Sequence, residues 1–291
     1  MRVGAKVPNS GPLPAQIGIS EMARVLESAG FASLWVSDHV IMPEHFSSPY
    51  PFAADGRANW ASDTPYFDAL VALTLIAAVT ERATFGPAVL VLPLRHPVVL
   101  AKQAASLDVA SGGRLRLGIG AGWLGEEFEA LNVPFADRGS RFEEWVSLLR
   151  DCWTGRPGPF AGKHYELPPG VICEPTPAHR IPLLVGGHSK ISLRRAGALA
   201  DGWLGQQSLD ALDPGEIAAA REAQRASARS AGRDEEALEI VLRVVDAAGR
   251  SDELARHLPG LARAGVDEVI VDVAWDGGDP VTDYARLADA A

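Results

Sequence analysis

Cysteine is nearly absent. Cys152 and Cys173 are the only two in 291 residues, too few for a disulfide scaffold and not in a metal-ligating spacing. Long apolar runs are missing too: none approaches the roughly 18 residues needed to cross a bilayer. The opening Met-Arg-Val-Gly-Ala-Lys-Val-Pro lacks the apolar core of a signal peptide. The expectation is a cytoplasmic protein that does not use a membrane. No basic cluster interrupts a net charge of -10, so a nucleic-acid surface is not expected either. There is no Gly-x-Ser-x-Gly elbow, no His-Glu-x-x-His and no Walker loop, which leaves hydrolase, zinc-protease and P-loop chemistry without a basis. No metal site is expected. No linker-like break divides residues 1–291, which read as one domain.

What is present is alternation of short apolar strands with helical patterns. Strands are predicted at Arg2–Pro8, Phe31–Ser37, Ala83–Leu92, from Arg114, at Ile181–Val185, Gly202–Leu204, Leu238–Asp246 and Val266–Val273. Helices are predicted at Ile19–Ala29, Tyr66–Thr80, Val98–Ala110, Phe142–Trp153, up to Leu199, Pro214–Ala231, Asp252–Ala264 and Asp283–Ala290. About eight strand–helix units point to an α/β fold, a parallel (β/α)8 TIM barrel, with an open doubly wound sheet as the alternative. Two irregular stretches, Met42–Pro65 and Gly155–Arg180, read as insertions after strands two and four that could roof the barrel mouth. The second is expected to hold a short hairpin near His164–Leu167.

The strand from Arg114 is the most pointed stretch. Leu115, Leu117 and Ile119 alternate with Arg116, Gly118 and Gly120, the period of two of a strand. One face is aliphatic and the upper part of the other has no side chains. Gly118, Gly120 and Gly122 either leave room for a flat ligand or make space for a bend in the wall. Polar residues fall at the other strand ends, where a barrel places its active groups. Asp38 could bind a ring N–H or hydroxyl, or cap a turn; His39 could move a proton, or pack under a loop. Gly186-Gly187-His188-Ser189 precedes a helix and reads as an anion site suited to phosphate, or as ordinary turn chemistry with Ser189 as N-cap. Arg95-His96 faces an acidic ligand or solvent. Glu126 and Glu127, at a helix start, read as dipole partners. Neither a buried lysine nor paired carboxylates is expected at a strand end.

In this order and spacing, Gly30-Phe-Ala-Ser-Leu-Trp-Val-Ser-Asp-His39, Val89-Leu-Val-Leu-Pro-Leu-Arg-His-Pro97, Gly118-Ile-Gly-Ala-Gly-Trp123, Leu184-Val-Gly-Gly-His-Ser189 and Ala200-Asp-Gly-Trp203 resemble the bacterial luciferase-like oxidoreductases, in particular the branch dependent on coenzyme F420. The resemblance covers nearly the whole chain. It implies a dimeric barrel that binds a deazaflavin, or FMN as the alternative, at its C-terminal mouth and acts on a small organic molecule bound above Trp123. Residue by residue, it implies that Asp38 and His39 lie beside the ring, with His39 catalytic. A non-proline cis peptide at Ala88-Val89 would back the ring, Gly120 and Gly122 would flank it, and Gly186, Gly187, His188 and Ser189 would hold the phosphate. The glutamate that some deazaflavin dehydrogenases carry after the glycine strand is replaced here by Ala121-Gly122. That puts a sugar-phosphate substrate in doubt.

Overall fold

The computed structural model describes residues 1–52, 55–58 and 60–291; positions 53, 54 and 59 of the expected irregular stretch lie outside the described residues. The chain opens with β1 (Arg2–Lys6), a single turn α1 (Leu13–Gln16), α2 (Ile19–Ala29) and β2 (Ser33–Val36). After the first long segment come α3 (Ala69–Val79), β3 (Thr84–Pro87), β4 (Leu90–Val91), α4 (Pro97–Ser111) and β5 (Leu117–Gly120). Two helices follow, α5 (Gly125–Ala130) and α6 (Arg138–Cys152), then the small hairpin β6 (Phe160–Ala161) and β7 (Glu166–Leu167). The last part alternates regularly: β8 (Leu183–Gly186), α7 (Lys190–Leu199), β9 (Gly202–Ser208), α8 (Pro214–Ser230), β10 (Glu239–Val245), α9 (Ser251–Ala264), β11 (Glu268–Val271) and α10 (Pro280–Ala290).

The parallel sheet runs β3-β2-β1-β11-β10-β9-β8-β5-β4. Its two ends are halves of one stave, interrupted by the cis peptide Ala88–Val89. The upper half pairs with β5, Leu90 opposite Ile119. Lower down, Phe85 exchanges backbone hydrogen bonds with Arg114 and Arg116. With β3 and β4 counted as one, the sheet closes into the expected eight-staved barrel, and the open-sheet alternative falls away.

Period-two alternation builds two cores. Val3, Leu117, Ile119, Leu242 and Val269 point outward against the helices. Trp35, Leu184, Leu204, Val241 and Ile270 fill the lumen. At the N-terminal ends of the staves the lumen is plugged by charge. Glu268, fully buried, accepts from Arg116 Nη1 at 2.6 Å, Arg2 Nε at 2.9 Å and Ser33 Oγ at 2.5 Å. Trp35 Nε1 donates to Ser33 Oγ at 2.7 Å, and the Arg116 guanidinium lies over the Trp35 ring. Burial opposes the charge on Glu268, but Arg116, Ser33 and Arg2 together outweigh it and hold the carboxyl below its ordinary range. The lower end is therefore sealed, which leaves the C-terminal end for chemistry.

The two long segments part company. Residues 37–68 leave the C-terminal end of β2 and return to α3 across the mouth. The second segment begins at the C-terminus of α6, at the other end of the barrel. Its hairpin climbs the outside instead: backbone N–H groups of Lys163 and His164 donate to Glu144, His164 meets Ser140 at 2.8 Å, and Tyr165 packs on His96. Only the first segment roofs the mouth, because only it starts from a strand end.

Candidate active site

Asn9, fully buried just past β1, ties down both ends of the roofing segment. Its Nδ2 donates to Ser37 O (2.9 Å) and Phe67 O (3.0 Å), and its Oδ1 accepts from Ser37 N at 2.9 Å. The two ends of the segment are thus held side by side, and it serves as a lid. Its middle is aromatic. Tyr50 packs edge-on against Trp60, Trp123 and Phe52, with ring centroids 5.1–5.7 Å apart, and Phe52 reaches His188 on the far rim. Pairs at these separations add roughly 0.5–1.5 kcal/mol each beyond their burial.

α5 latches this lid, a role that local pattern does not disclose. Glu126 accepts from the backbone N–H of Ser47 and Ser48 and from both hydroxyls at 2.6–3.1 Å. Burial opposes its charge, but these donors prevail and bring the carboxyl down to about 2. Glu127 is almost wholly buried, and its Oε1 accepts from Val40 N at 2.6 Å. Its Oε2 accepts from His39 Nδ1 at 3.0 Å. Both acids do sit in the first turn of a helix, so the dipole reading stands. What sequence could not reveal is that this turn faces inward, where the second carboxylate orients the imidazole. Fixing the proton on Nδ1 leaves Nε2 of His39 bare, free to accept. Around it stand the rings of Tyr66, Trp123 and Trp60, 5.5–6.1 Å away.

Asp38 takes a different part from the expected one. Its side chain is inaccessible, with Oδ2 accepting from Val91 N (2.9 Å) and Oδ1 paired with Arg95 (2.5 Å), which also binds Asp68 at 2.7 Å. Burial pushes the Asp38 carboxyl up, while the two carboxylates push Arg95 up. Asp38 therefore pins the chain after Ala88–Val89 rather than offering a free carboxylate to a ligand. Arg95 consequently faces neither ligand nor solvent, and His96 caps α4 through Nδ1.

The glycines also need correction. A Cβ on Gly118 would strike the Pro87 carbonyl at 2.2 Å, and one on Gly122 would meet Phe128 and Val91 at 2.6–2.7 Å. Cβ atoms on Gly120 and on Gly186 would both meet Val89 methyls at 2.7 Å. The gap in the wall is filled by Val89, with Ala88 beside it in the lumen core. At Gly118 and Gly122 the room is taken by neighbouring protein atoms. For Gly120, Gly186 and Val89 the result is a smooth apolar wall at the barrel lip.

Opposite the lid, Gly187 adopts φ +107°, and its carbonyl accepts from Trp203 Nε1 at 2.8 Å. His188 Nε2 accepts from Gln206 N at 3.0 Å, so the ring is neutral with its proton on Nδ1; burial lowers its pKa further. Ser189 caps α7, accepting from Ser192 N at 3.1 Å, so its hydroxyl is already engaged. The backbone N–H groups of Lys190 and Ile191, in the first turn, have no intrahelical acceptor. A flat apolar wall, a neutral imidazole and two open N–H groups suit a planar ring with an anionic tail.

A further polar group lies in the lumen that sequence did not find. Lys6 shares the inward face of β1 with Gly4, is buried, and donates from Nζ to Asn9 Oδ1 at 3.0 Å. Burial and the nearby Arg243 charge hold its pKa well below the ordinary value. The expectation of no buried lysine at a strand end fails at Lys6, the last residue of β1. Among the described residues, no helix is long and apolar enough to cross a membrane, and no three acids, histidines or cysteines cluster as a metal site.

The closed barrel, sealed below and carrying an oriented histidine under a lid above, defines a barrel with an enzyme-type site at its C-terminal mouth. Residues 8–269 match the luciferase-like monooxygenase family, and the chain belongs to that family. An uncharacterized protein of Mycobacterium tuberculosis is 39% identical over 193 residues, a stretch that spans 66% of each chain. An F420-dependent glucose-6-phosphate dehydrogenase of Kineococcus radiotolerans is 29% identical over 277 residues, covering 93% of this chain and 75% of that one. Among solved structures, an F420-dependent secondary alcohol dehydrogenase in complex with an F420–acetone adduct superposes with a TM-score of 0.79. It is 16% identical and covers 99% of this chain and 98% of its own, a likeness of fold.

Proposed function

We propose that the chain is an F420-dependent oxidoreductase that transfers a hydride between a deazaflavin held at the mouth and a small organic molecule. The observation that carries this reading is His39, oriented by a buried carboxylate and facing an aromatic lid across from the Val89 wall. When bound, the deazaflavin supplies hydride chemistry. The chain's own residues do the rest. Gly120, Gly186 and Val89 offer the ring an unobstructed apolar face. Lys190 and Ile191 N–H, with Gly187 giving close approach and neutral His188 adjoining, would hold the phosphate. The lid excludes water from the reacting face. His39 Nε2 accepts the proton of a substrate hydroxyl, or returns it in the opposite direction, while Glu127 steadies the imidazolium so formed.

Replacing Gly187 tests the phosphate placement. Its φ of +107° and the Ser192 hydroxyl 2.8 Å from a Cβ leave no room for a side chain. Gly187→Val is expected to weaken cofactor affinity at least tenfold in an absorbance titration, whereas unchanged affinity would remove this turn from the site. Oxygen uptake separates the deazaflavin reading from an FMN-dependent monooxygenase. The first predicts substrate-dependent change in deazaflavin absorbance without oxygen consumption; the second predicts stoichiometric oxygen use with FMN.

We also infer a homodimer, supported by α3. Its sequence Ala-Leu-Val-Ala-Leu-Thr-Leu-Ile-Ala-Ala-Val is apolar but for Thr74, yet Val71 is 55% and Leu75 39% exposed, and Val99 on α4 is 52% exposed. A second copy laid on this face would cover it. Light scattering is expected to give twice the chain mass of 30.8 kDa, and Leu75→Glu to give the monomer. A wild-type monomer would contradict the inference.

A further inference from the structure

We propose that Cys152 and Cys173 are a modification site: in the presence of a small disulfide they form a reversible intrachain disulfide that staples residues 153–172 to the end of α6. The pair lies outside the lumen, in the core between sheet and helices, and the proposal is independent of the oxidoreductase reading.

Backbone geometry brings the two together. Cys152 is the last residue of α6. The turn after it, made by Gly155 at φ +82°, sets the Gly155 N–H on the Cys152 carbonyl at 3.1 Å. The Gly155 carbonyl in turn accepts from Cys173 N at 3.0 Å. The residues that follow each cysteine are tied to neighbouring positions of α4. Trp153 Nε1 donates to Ala101 O at 3.1 Å, and Lys102 Nζ donates to Glu174 O. Both cysteines are therefore held at a fixed spacing before any bond forms.

The thiols themselves meet. These are the chain's only cysteines, and the Cys152 thiol hydrogen-bonds with that of Cys173. Cys152 is fully buried, and burial first, then Cys173, push its thiol up to about 12. Cys173 is only half-buried. A buried thiol alone is inert. Here a more accessible one stands before it, the relation of an attacking cysteine to a resolving one.

The chemistry is thiol–disulfide exchange. The Cys173 thiolate attacks one sulfur of the small disulfide and expels a thiolate, leaving a mixed disulfide. Cys152 loses its proton to that thiolate, attacks the Cys173 sulfur and expels the second one. The small disulfide gains two electrons and ends as two thiols; the cysteine pair loses two. Because the second step is intramolecular, it outruns attack by a second external thiol. The new bond closes a loop of about 20 residues and so restricts the unfolded chain.

The test incubates the full-length native protein with glutathione disulfide and follows it by intact mass, peptide mapping and calorimetry. Both thiols are expected to disappear together, with a mass lower by two hydrogens and a peptide joining Cys152 to Cys173. Tm should rise by on the order of 5 °C and return when dithiothreitol is added. Cys152→Ser, which lacks the resolving thiol, should instead keep one glutathione on Cys173 and show no such rise. Two free thiols after incubation, glutathione retained on the wild-type chain, a cross-link between chains, or a joined pair with unchanged Tm would overturn the proposal.

Discussion

His39→Ala is expected to lower kcat by about 10²–10⁴ while leaving cofactor affinity within a few fold. The imidazole lies under the lid with Nε2 open and Nδ1 held by Glu127 at 3.0 Å, so its removal deletes the proton acceptor without touching the Val89 wall or the α7 turn. Steady-state kinetics with an absorbance titration separates the two quantities. Glu127→Ala should fall between wild type and His39→Ala in kcat. It leaves the histidine present but unoriented, and it releases the Val40 N–H that latches the lid. Glu127 is a positioning residue, so its variant should also shift the pH profile of kcat, which a purely structural lesion would not do. Wild-type turnover in His39→Ala would remove the histidine from the scheme.

The second large effect is on stability. Glu268→Ala is expected to destabilise the fold by about 3 kcal/mol, because Arg116 keeps Glu239 at 2.6 Å but loses its fully buried partner, and Arg2 and Ser33 lose theirs. At roughly 2–4 °C per kcal/mol for a domain of this order, calorimetry should record a Tm lower by on the order of 10 °C. The pH dependence has a definite sign. The Glu268 carboxyl is held below its ordinary value of 4.5. Its contribution is therefore full above that pH and is lost as pH falls through the lower, folded value. The gap between variant and wild type should shrink in acid. A loss under about 1 kcal/mol at neutral pH would show that Glu239 alone suffices to hold Arg116.

These two residues also mark what a sequence can disclose. Glu268 opens a strand whose outward positions, Val269 and Val271, are plain from alternation, and Arg116 alternates with Leu115 and Leu117. Phase therefore placed Arg116 on the inward face, and helix α2 was legible to its last residue because Gly30 stops it with a left-handed backbone. The family, and with it the barrel, followed from ordered motifs. What escaped was every feature that depends on which neighbour fills a space. Glycines at 118, 120 and 122 read as room for a ligand or for a bend, because an absent side chain does not reveal whether ligand, backbone or Val89 occupies the space. Asp38 read as a ligand contact because Arg95, 57 positions away, is invisible to local pattern. Glu127 was passed over because a six-residue helix has too few turns to show which side is buried.

The roofing role of residues 37–68 was legible for a physical reason: a long segment leaving a strand's C-terminal end must cross the mouth before it can return as a helix. The same logic, applied to residues 155–180, misplaced them, because the two helices α5 and α6 intervene and deliver the chain to the opposite end of the barrel.

The central claim is that the lip built by Val89, Gly120 and Gly186, with the turn at Gly187, holds a deazaflavin. Titration of the purified full-length chain with coenzyme F420, followed by absorbance and by equilibrium dialysis, tests it most directly. The account predicts saturable binding at micromolar levels with one cofactor per chain. Retention of neither coenzyme F420 nor FMN at those levels would contradict it.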